Sequence, residues 1–442
     1  MSQSNKSGRL IAIIIMMALF AMIAFVTNLC TPMATIIKNQ LAVSNVLAQV
    51  GNYANFIAYL VMGIPAGLLI KKFGYKNTAL IALATGAIGV LIQWFSGSLD
   101  SSNPGLVFTV YIIGAFIAGL CMCMLNTVVN PMLNLLGGGG NKGNQLILIG
   151  GVFNSAAAVA IYILMGALIG EVAKAKIADA TPALMIALAI FVVGFIVIAF
   201  TKIQEPQQVS TEKKKEKKST GKKYSAFSFR HFNLGIAAIF LYMGIEVGVP
   251  NFMQQYLANP VTDATPGLGM DASIVGCIVA VYWFLMLVGR FVGGAIGAKV
   301  SSRTMLSFTA ALAFILVLVG MLLPASITTS VPGVDWTNVS IIYAEIPVGM
   351  LLFLLVGLCT SVMWGGIFNL ATEGLGKYTA IASGAFMTMV FGCAVMSFIQ
   401  AKIADVAHDY MISYIVVLVC ALYLLYYAIF GSKNVNKDIP VD

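Results

Sequence analysis

Apolar runs of about 20 residues recur from one end of the chain to the other, and a run of that length spans the roughly 30 Å hydrocarbon core of a bilayer as a helix. They lie near 10–36, 47–70, 77–97, 106–136, 145–170 and 182–202, and, after a polar break, near 232–257, 272–296, 304–325, 343–371, 380–403 and 410–430. Of the 442 residues 60% are hydrophobic and 9% charged, against about 45–50% and 25% in soluble domains. No soluble core could hide so much apolar surface, so these runs are expected to cross a membrane. The first, Leu10 to Ile37, is longer than a leader-peptide core and is read as a retained span.

Lysine and arginine decide the orientation, because cytoplasmic loops keep the excess. With both termini in the cytoplasm, all but five of the 25 basic residues fall on that side. The exceptions are Lys38, Lys174, Lys176 and Lys402 opposite, and Arg290 within a span. The net charge of +9 reflects this bias together with the cluster Lys213, Lys214, Lys215, Lys217, Lys218, Lys222 and Lys223. That cluster reads as a solvated linker attracted to anionic lipid rather than as a nucleic-acid site. Seven cysteines (Cys30, Cys121, Cys123, Cys277, Cys359, Cys393 and Cys420) fall inside the spans and read as reduced packing residues. His231 and His408 stand at helix ends, which speaks against a histidine-based metal or nucleophile site.

The two halves look related. Asn134 and Lys142 after span four match Asn369 and Lys377 after span ten, both offset by 235 residues, and a glycine-rich basic turn follows span two (Gly67, Lys71, Lys72, Gly74, Lys76) and span eight (Gly293, Gly297, Lys299, Arg303). Two parallel six-helix repeats account for this and place a binding site at their interface near the midplane. The expected fold is all-α, with twelve transmembrane helices in two six-helix pseudo-symmetric halves. Residues 1–202 form one half, 203–230 a basic cytoplasmic linker, and 231–442 the second half with a short tail.

Gly67 to Lys76 resembles the loop motif of the major facilitator superfamily, with Lys71 where an Asp is usual. More closely, the chain is similar to the fucose, galactose and glucose proton symporter family. The resemblance rests on Ile64–Lys72, Asn130-Pro131, Phe153–Ser155, Gly244–Val247, Gly289–Phe291 and Glu373–Lys377. It implies the major facilitator fold and alternating-access transport of a monosaccharide across the inner membrane. Three positions depart from it: Thr31 and Asn126 stand where fucose-type members carry an Asp and a Glu, and Gly151 where they carry a Gln, while Asn154 matches.

Glu246 is the most informative residue, because an acid in mid-span costs about 2.5–3.5 kcal/mol or more on insertion. A cavity-facing carboxylate that binds a sugar hydroxyl or a coupling cation is one use; a hydrogen bond that only packs helices is the other. Tyr242, Glu246 and Pro250 share a helix face, and Asn251 extends its polarity outward. Asn126 and Asn130 stack four apart, and neutral amides, which both donate and accept, suit polyhydroxylated ligands. Asn28, Thr31 and Asn154 complete a polar set in the first half. Among the aromatics of the second half, Tyr282, Trp283 and Trp364, Trp364 is selected as an apolar plate for a sugar face. Arg290, read as the cytoplasmic end of span eight, joins Lys71, Lys72, Lys299 and Arg303 as gating residues at the inner mouth.

The expected protein is thus a monomeric secondary transporter, not an enzyme, with a sugar as its ligand and no cofactor. A proton is the expected coupling ion, through Glu246, with sodium coupling or uncoupled diffusion as alternatives given the neutral Thr31 and Asn126. An exporter of lipophilic compounds and a membrane sensor acting through the basic linker are the competing classes.

Overall fold

Inside hydrocarbon a backbone has to satisfy its own N–H and C=O groups, and a helix does so within one segment. The structure, a computed structural model, describes residues 3–41, 50–99, 103–169, 176–201, 224–259, 261–262, 264–270, 272–335, 340–436 and 438–441. The first half consists of α1 (Gln3–Leu41), α2 (Val50–Gly97), α3 (Pro104–Gly137), α4 (Gly140–Ile169) and α5 (Thr181–Phe200). The second begins with α6 (Arg230–Glu246), α7 (Gly248–Ala258), α8 (Ala272–Ile296), α9 (Ser302–Leu322) and α10 (Val348–Thr372). It ends with α11 (Thr379–Thr388), α12 (Gly392–Ala407), α13 (Tyr410–Ser413) and α14 (Ile415–Tyr426).

Among the described residues, eleven helical stretches are long and apolar enough to cross a bilayer. One of them, Tyr53–Gly97, contains two crossings. A straight helix of the 48 residues of α2 would be about 72 Å long, more than twice the hydrocarbon thickness. It turns back at Gly74, whose φ of 80° and ψ of 175° form a conformation only glycine adopts without strain. The arms return side by side: a Cβ on Gly119 of α3 would touch Asn55 of one arm, and one on Gly114 would touch Gln93 of the other. The chain is therefore a multi-pass membrane protein with the expected twelve crossings. The turn after the second span is shorter than the Gly67–Lys76 motif implies, since helix persists to residue 73.

The tenth span also differs from its expected bounds. Residues 343–347 belong to a hairpin, β1 (Thr328–Asp335) and β2 (Ser340–Pro347), paired antiparallel with Thr328 opposite Pro347 and Asp335 opposite Ser340. Ile341, Tyr343 and Glu345 are exposed while Ile342 and Ala344 are better covered, the period of two that marks a strand rather than a helix. Pro347 then stands at the N-cap of α10. Residues 203–223 of the expected linker, together with Lys174, lie outside the described residues.

The halves meet along close-packed small residues. A Cβ on Gly63 of α2 would lie 2.7 Å from the Gly384 carbonyl of α11, and one on Gly67 2.7 Å from the Ala380 carbonyl. The pseudo-equivalent contact joins α4 to α8, where a Cβ on Gly294 would lie 3.0 Å from Ile149 and one on Gly297 3.4 Å from Gln145. Asn134 and Asn369, the pair offset by 235, hydrogen-bond directly, Nδ2 to Oδ1 at 3.0 Å. Two residues exchanged by a near two-fold rotation touch only where both lie beside its axis, so this bond marks the axis on the face that carries Lys71, Lys72, Lys299 and Lys377.

Gly63→Val inserts carbon into a backbone-to-backbone contact and is expected to cost about 1–3 kcal/mol through overpacking. A Cβ at Gly276 of α8 would meet nothing within 4 Å, so Gly276→Ala should leave stability unchanged or raise it slightly. Thermal denaturation of both variants in detergent checks the contrast.

Candidate functional site

A cavity lies between the halves. Its first-half wall comes from α1 (Phe20, Ile23, Thr27, Asn28), the first arm of α2 (Phe56, Tyr59), Asn126 of α3, and Gly151 and Asn154 of α4. The second half supplies Met243 and Glu246 of α6, Trp283 and Arg290 of α8, and Ser361, Trp364 and Gly365 of α10.

Of the residues singled out from the sequence, Asn28, Asn126, Asn154, Glu246 and Trp364 line this cavity. Asn130 stands behind them: its Oδ1 accepts from the Trp364 indole at 3.1 Å and its Nδ2 donates to the Asn126 carbonyl at 2.9 Å. Trp364 is thereby fixed across the interface by an amide of the other half. Tyr242 is fully buried just behind the lining, where it donates to the Thr360 carbonyl at 3.2 Å and meets the Trp364 ring edge-on at 6.1 Å, and Asn251 of α7 is not part of the lining either. The side chain of Thr31 lies outside the described residues.

Arg290 is the largest change. It sits beside Glu246 in the cavity wall rather than at the inner mouth with Lys71, Lys72 and Lys299, which are exposed, and Arg303, which donates to Ser432 Oγ at 3.0 Å. The reason is length: α8 runs on to Ile296, so Arg290 stands about 9 Å, six residues, inside the helix end. Its Nη1 donates to the Gly151 carbonyl at 3.0 Å, to Asn154 Oδ1 at 3.0 Å and to Ser155 Oγ at 2.8 Å, all on α4, while Nη2 faces Glu246 Oε1 at 3.5 Å. One guanidinium therefore joins α4 of one half to α6 of the other. Gly151 makes room for it, since a Cβ there would lie 2.9 Å from Arg290 Cδ.

Glu246 ends α6, and α7 begins at Gly248. Pro250 has no N–H to offer the carbonyl four residues back, and the Tyr282 hydroxyl takes that place, donating to the Glu246 carbonyl at 3.2 Å. Tyr414 donates to the Val249 carbonyl at 3.0 Å on the other side of the break. The kink is thus held by two tyrosines, and it turns the carboxylate toward the cavity.

Sequence reasoning missed Tyr59, Thr27, Phe20 and Phe56 and passed over Trp283. Tyr59 accepts from Asn126 Nδ2 at 2.9 Å, and Thr27 Oγ1 is buried with no partner. Phe56 and Tyr59 stand three apart on one helix face, but nothing in the sequence separates a cavity-facing aromatic pair from a packing pair.

The assembled surface has one acid, one base, several neutral amides and two indoles. It can present paired donors and acceptors to a neutral, hydroxyl-rich molecule and flat apolar faces to its C–H groups.

The profile described as Major Facilitator Superfamily matches residues 13–398. The chain is 28% identical to a glucose/galactose transporter of Brucella abortus biovar 1 (strain 9-941), over 94% of this chain and 93% of that protein. It is 27% identical to a putative glucose/galactose transporter of Helicobacter pylori (strain J99), over 97% and 99%, and 20% identical to the L-fucose-proton symporter of Escherichia coli (strain K12), over 95% and 93%. Among solved structures it is similar to the transporter FucP in the outward conformation, with a TM-score of 0.76 at 20% identity over 97% of this chain and all of that one. It is also similar to the proton:xylose symporter XylE bound to 6-bromo-6-deoxy-D-glucose, with a TM-score of 0.71 at 10% identity over 98% of each chain. At such identities these structures establish the fold.

Arg290→Met leaves Glu246 without its counter-charge, and breaking a buried pair from one side costs about 3–5 kcal/mol. Thermal denaturation should show most of that loss recovered in Arg290→Met with Glu246→Gln, because the double variant buries no charge.

Proposed function

The chain belongs to the Major Facilitator Superfamily, and on that premise we propose that it is a secondary active transporter that carries a monosaccharide across the cytoplasmic membrane by alternating access. The observation that supports this most directly is the cavity's lining. Asn28, Asn126 and Asn154 bring both donors and acceptors, Trp364 and Trp283 bring apolar faces, and the single acid and single base cancel. A hexose or 6-deoxyhexose needs this combination, since its hydroxyls require opposed hydrogen bonds and its C–H face pairs with an indole. The names of the relatives, glucose/galactose transporter and L-fucose-proton symporter, agree with that class.

Both termini and the basic face are assigned to the cytoplasm on the loop charges. Asn134 to Asn369 and Gln145 Nε2 to the Gly294 carbonyl, at 2.9 Å, then close the inner side. On that assignment the cavity faces outward, and because one chain supplies its whole lining a monomer is taken as the working unit.

Coupling is assigned to Glu246 with the proton as the ion. As a carboxylate it attracts Nη2 of Arg290, whose Nη1 is held on α4. Protonation removes that attraction, so the tie between α6 and α4 weakens as the proton arrives. Sugar and proton together shift the equilibrium toward the inward state only to the extent that they bind it better. Sodium coupling and uncoupled movement are retained as the second reading, on the neutral Thr31 and Asn126.

Purified protein in liposomes should accumulate labelled hexose under an inward proton gradient, with unlabelled glucose, galactose and fucose competing. Glu246→Gln should lose proton-driven accumulation yet keep sugar exchange at equal concentrations. Equal accumulation by Glu246→Gln across pH and gradients would remove the proton role, a response to sodium alone would transfer coupling to that ion, and absence of sugar competition would remove the substrate class. Trp364→Ala should weaken sugar binding about tenfold through the lost stacking face, as measured by tryptophan-independent equilibrium binding of labelled sugar.

A further inference from the structure

Below the cavity the halves close in a layer that holds one unmet polar group. On the cavity side the layer begins with Ile147, Leu148 and Gly365, and Leu148 packs with Met305 and Val362 of the other half in a small apolar cluster. On the far side a vestibule is lined by Asn134, Asn369, Thr372 and Glu373. Three amides of this layer are paired across the halves or beyond: Asn134 donates to Asn369, Asn369 donates to Ser302 Oγ at 2.9 Å, and Gln145 donates to the Gly294 carbonyl.

Asn144, next to Gln145 on α4, is different. It is fully buried, and neither its Nδ2 nor its Oδ1 has a hydrogen-bond partner. It faces α10 of the other half at Gly365, where a Cβ would lie 2.8 Å from Asn144 Oδ1. An amide sealed in this way raises the free energy of the closed layer, because water or a passing hydroxyl would satisfy it once the halves part.

Resting on the alternating-access reading above, we propose that Asn144 is a positioning residue of the inner gate. Its unmet amide keeps the closed layer close in free energy to the open one, and Gly365 gives it the space to remain there. The closed gate is held by the apolar cluster and the paired amides, and Asn144 sets how far that closure is from tipping. An apolar side chain of similar size in its place deepens the closed state; a methyl group pressed against it from Gly365 makes the closed state worse. The two substitutions therefore have opposite signs, which a residue that merely fills space would not produce.

The test uses the full chain in liposomes, with nitroxide labels at Lys142→Cys and Lys377→Cys, exposed positions on opposite halves beside the vestibule, and distances read by pulsed electron resonance without any sugar. Asn144→Leu is expected to raise the short-distance, closed population about tenfold and to slow sugar turnover in proportion. Gly365→Ala is expected to raise the long-distance population instead. If Asn144→Leu does not fold, Asn144→Met carries the same expectation. Wild-type populations in both Asn144 variants, or a shift of the same sign in Asn144→Leu and Gly365→Ala, overturn the inference while leaving the transport reading standing. A wild-type protein locked at one distance under every ion gradient overturns both, and a wrong choice of sugar affects neither distance measurement.

Discussion

Hydrocarbon offers no partner to a hydrogen-bonding group, and a polar atom placed at depth in this protein is costly unless another part of the chain meets it. The backbone meets the demand by staying helical through twelve crossings and breaking only where a substitute donor stands ready. The break in the seventh span shows the rule at work. Pro250 removes the N–H that the Glu246 carbonyl would use, and Tyr282 provides a hydroxyl from the neighbouring helix. The same demand explains why Asn130, Asn134 and Asn369 point at one another or at Trp364 rather than at lipid.

The charge pair in the cavity follows from that demand and from shape. Glu246 alone would be an uncompensated acid in mid-membrane, and the cation that answers it comes from the next span. Arg290 reaches across to α4 beside Gly151, where a Cβ would lie 2.9 Å from its Cδ, and its three contacts with that helix all come from Nη1. The result is a single guanidinium with a firm grip on one half and a longer, 3.5 Å hold on the other.

The two halves contribute unequally to the cavity despite the repeat pattern in their sequences. The first contributes amides and the alcohols of Thr27 and Tyr59; the second contributes the acid, the base and both indoles of the cavity. Their interface is glycine-lined along α2 with α11 and along α4 with α8, so backbones slide on backbones there with few long side chains to disentangle. The stop on the basic face is made instead by the Leu148 cluster and the amide pairs, which are few and individually weak.

The sequence by itself determined the twelve crossings, because hydrophobic length is written in consecutive residues, and it supplied the repeat offset of 235 and the loop charges on which the expected halves and orientation rest. It also picked out Glu246, Asn28, Asn126, Asn154 and Trp364, since a polar residue in an apolar run is conspicuous wherever it points. Only the tertiary structure decided that Arg290 belongs with Glu246 rather than with the surface lysines, that Tyr242 faces a neighbouring helix, and that the residues before Val348 form a strand. Those outcomes depend on where a helix ends, which way it is rotated and what stands opposite. The glycine that admits Arg290 and the amide left unmet at Asn144 are 139 residues and more from their partners or their vacancy in the other half, and no local pattern encodes a fit made across that separation.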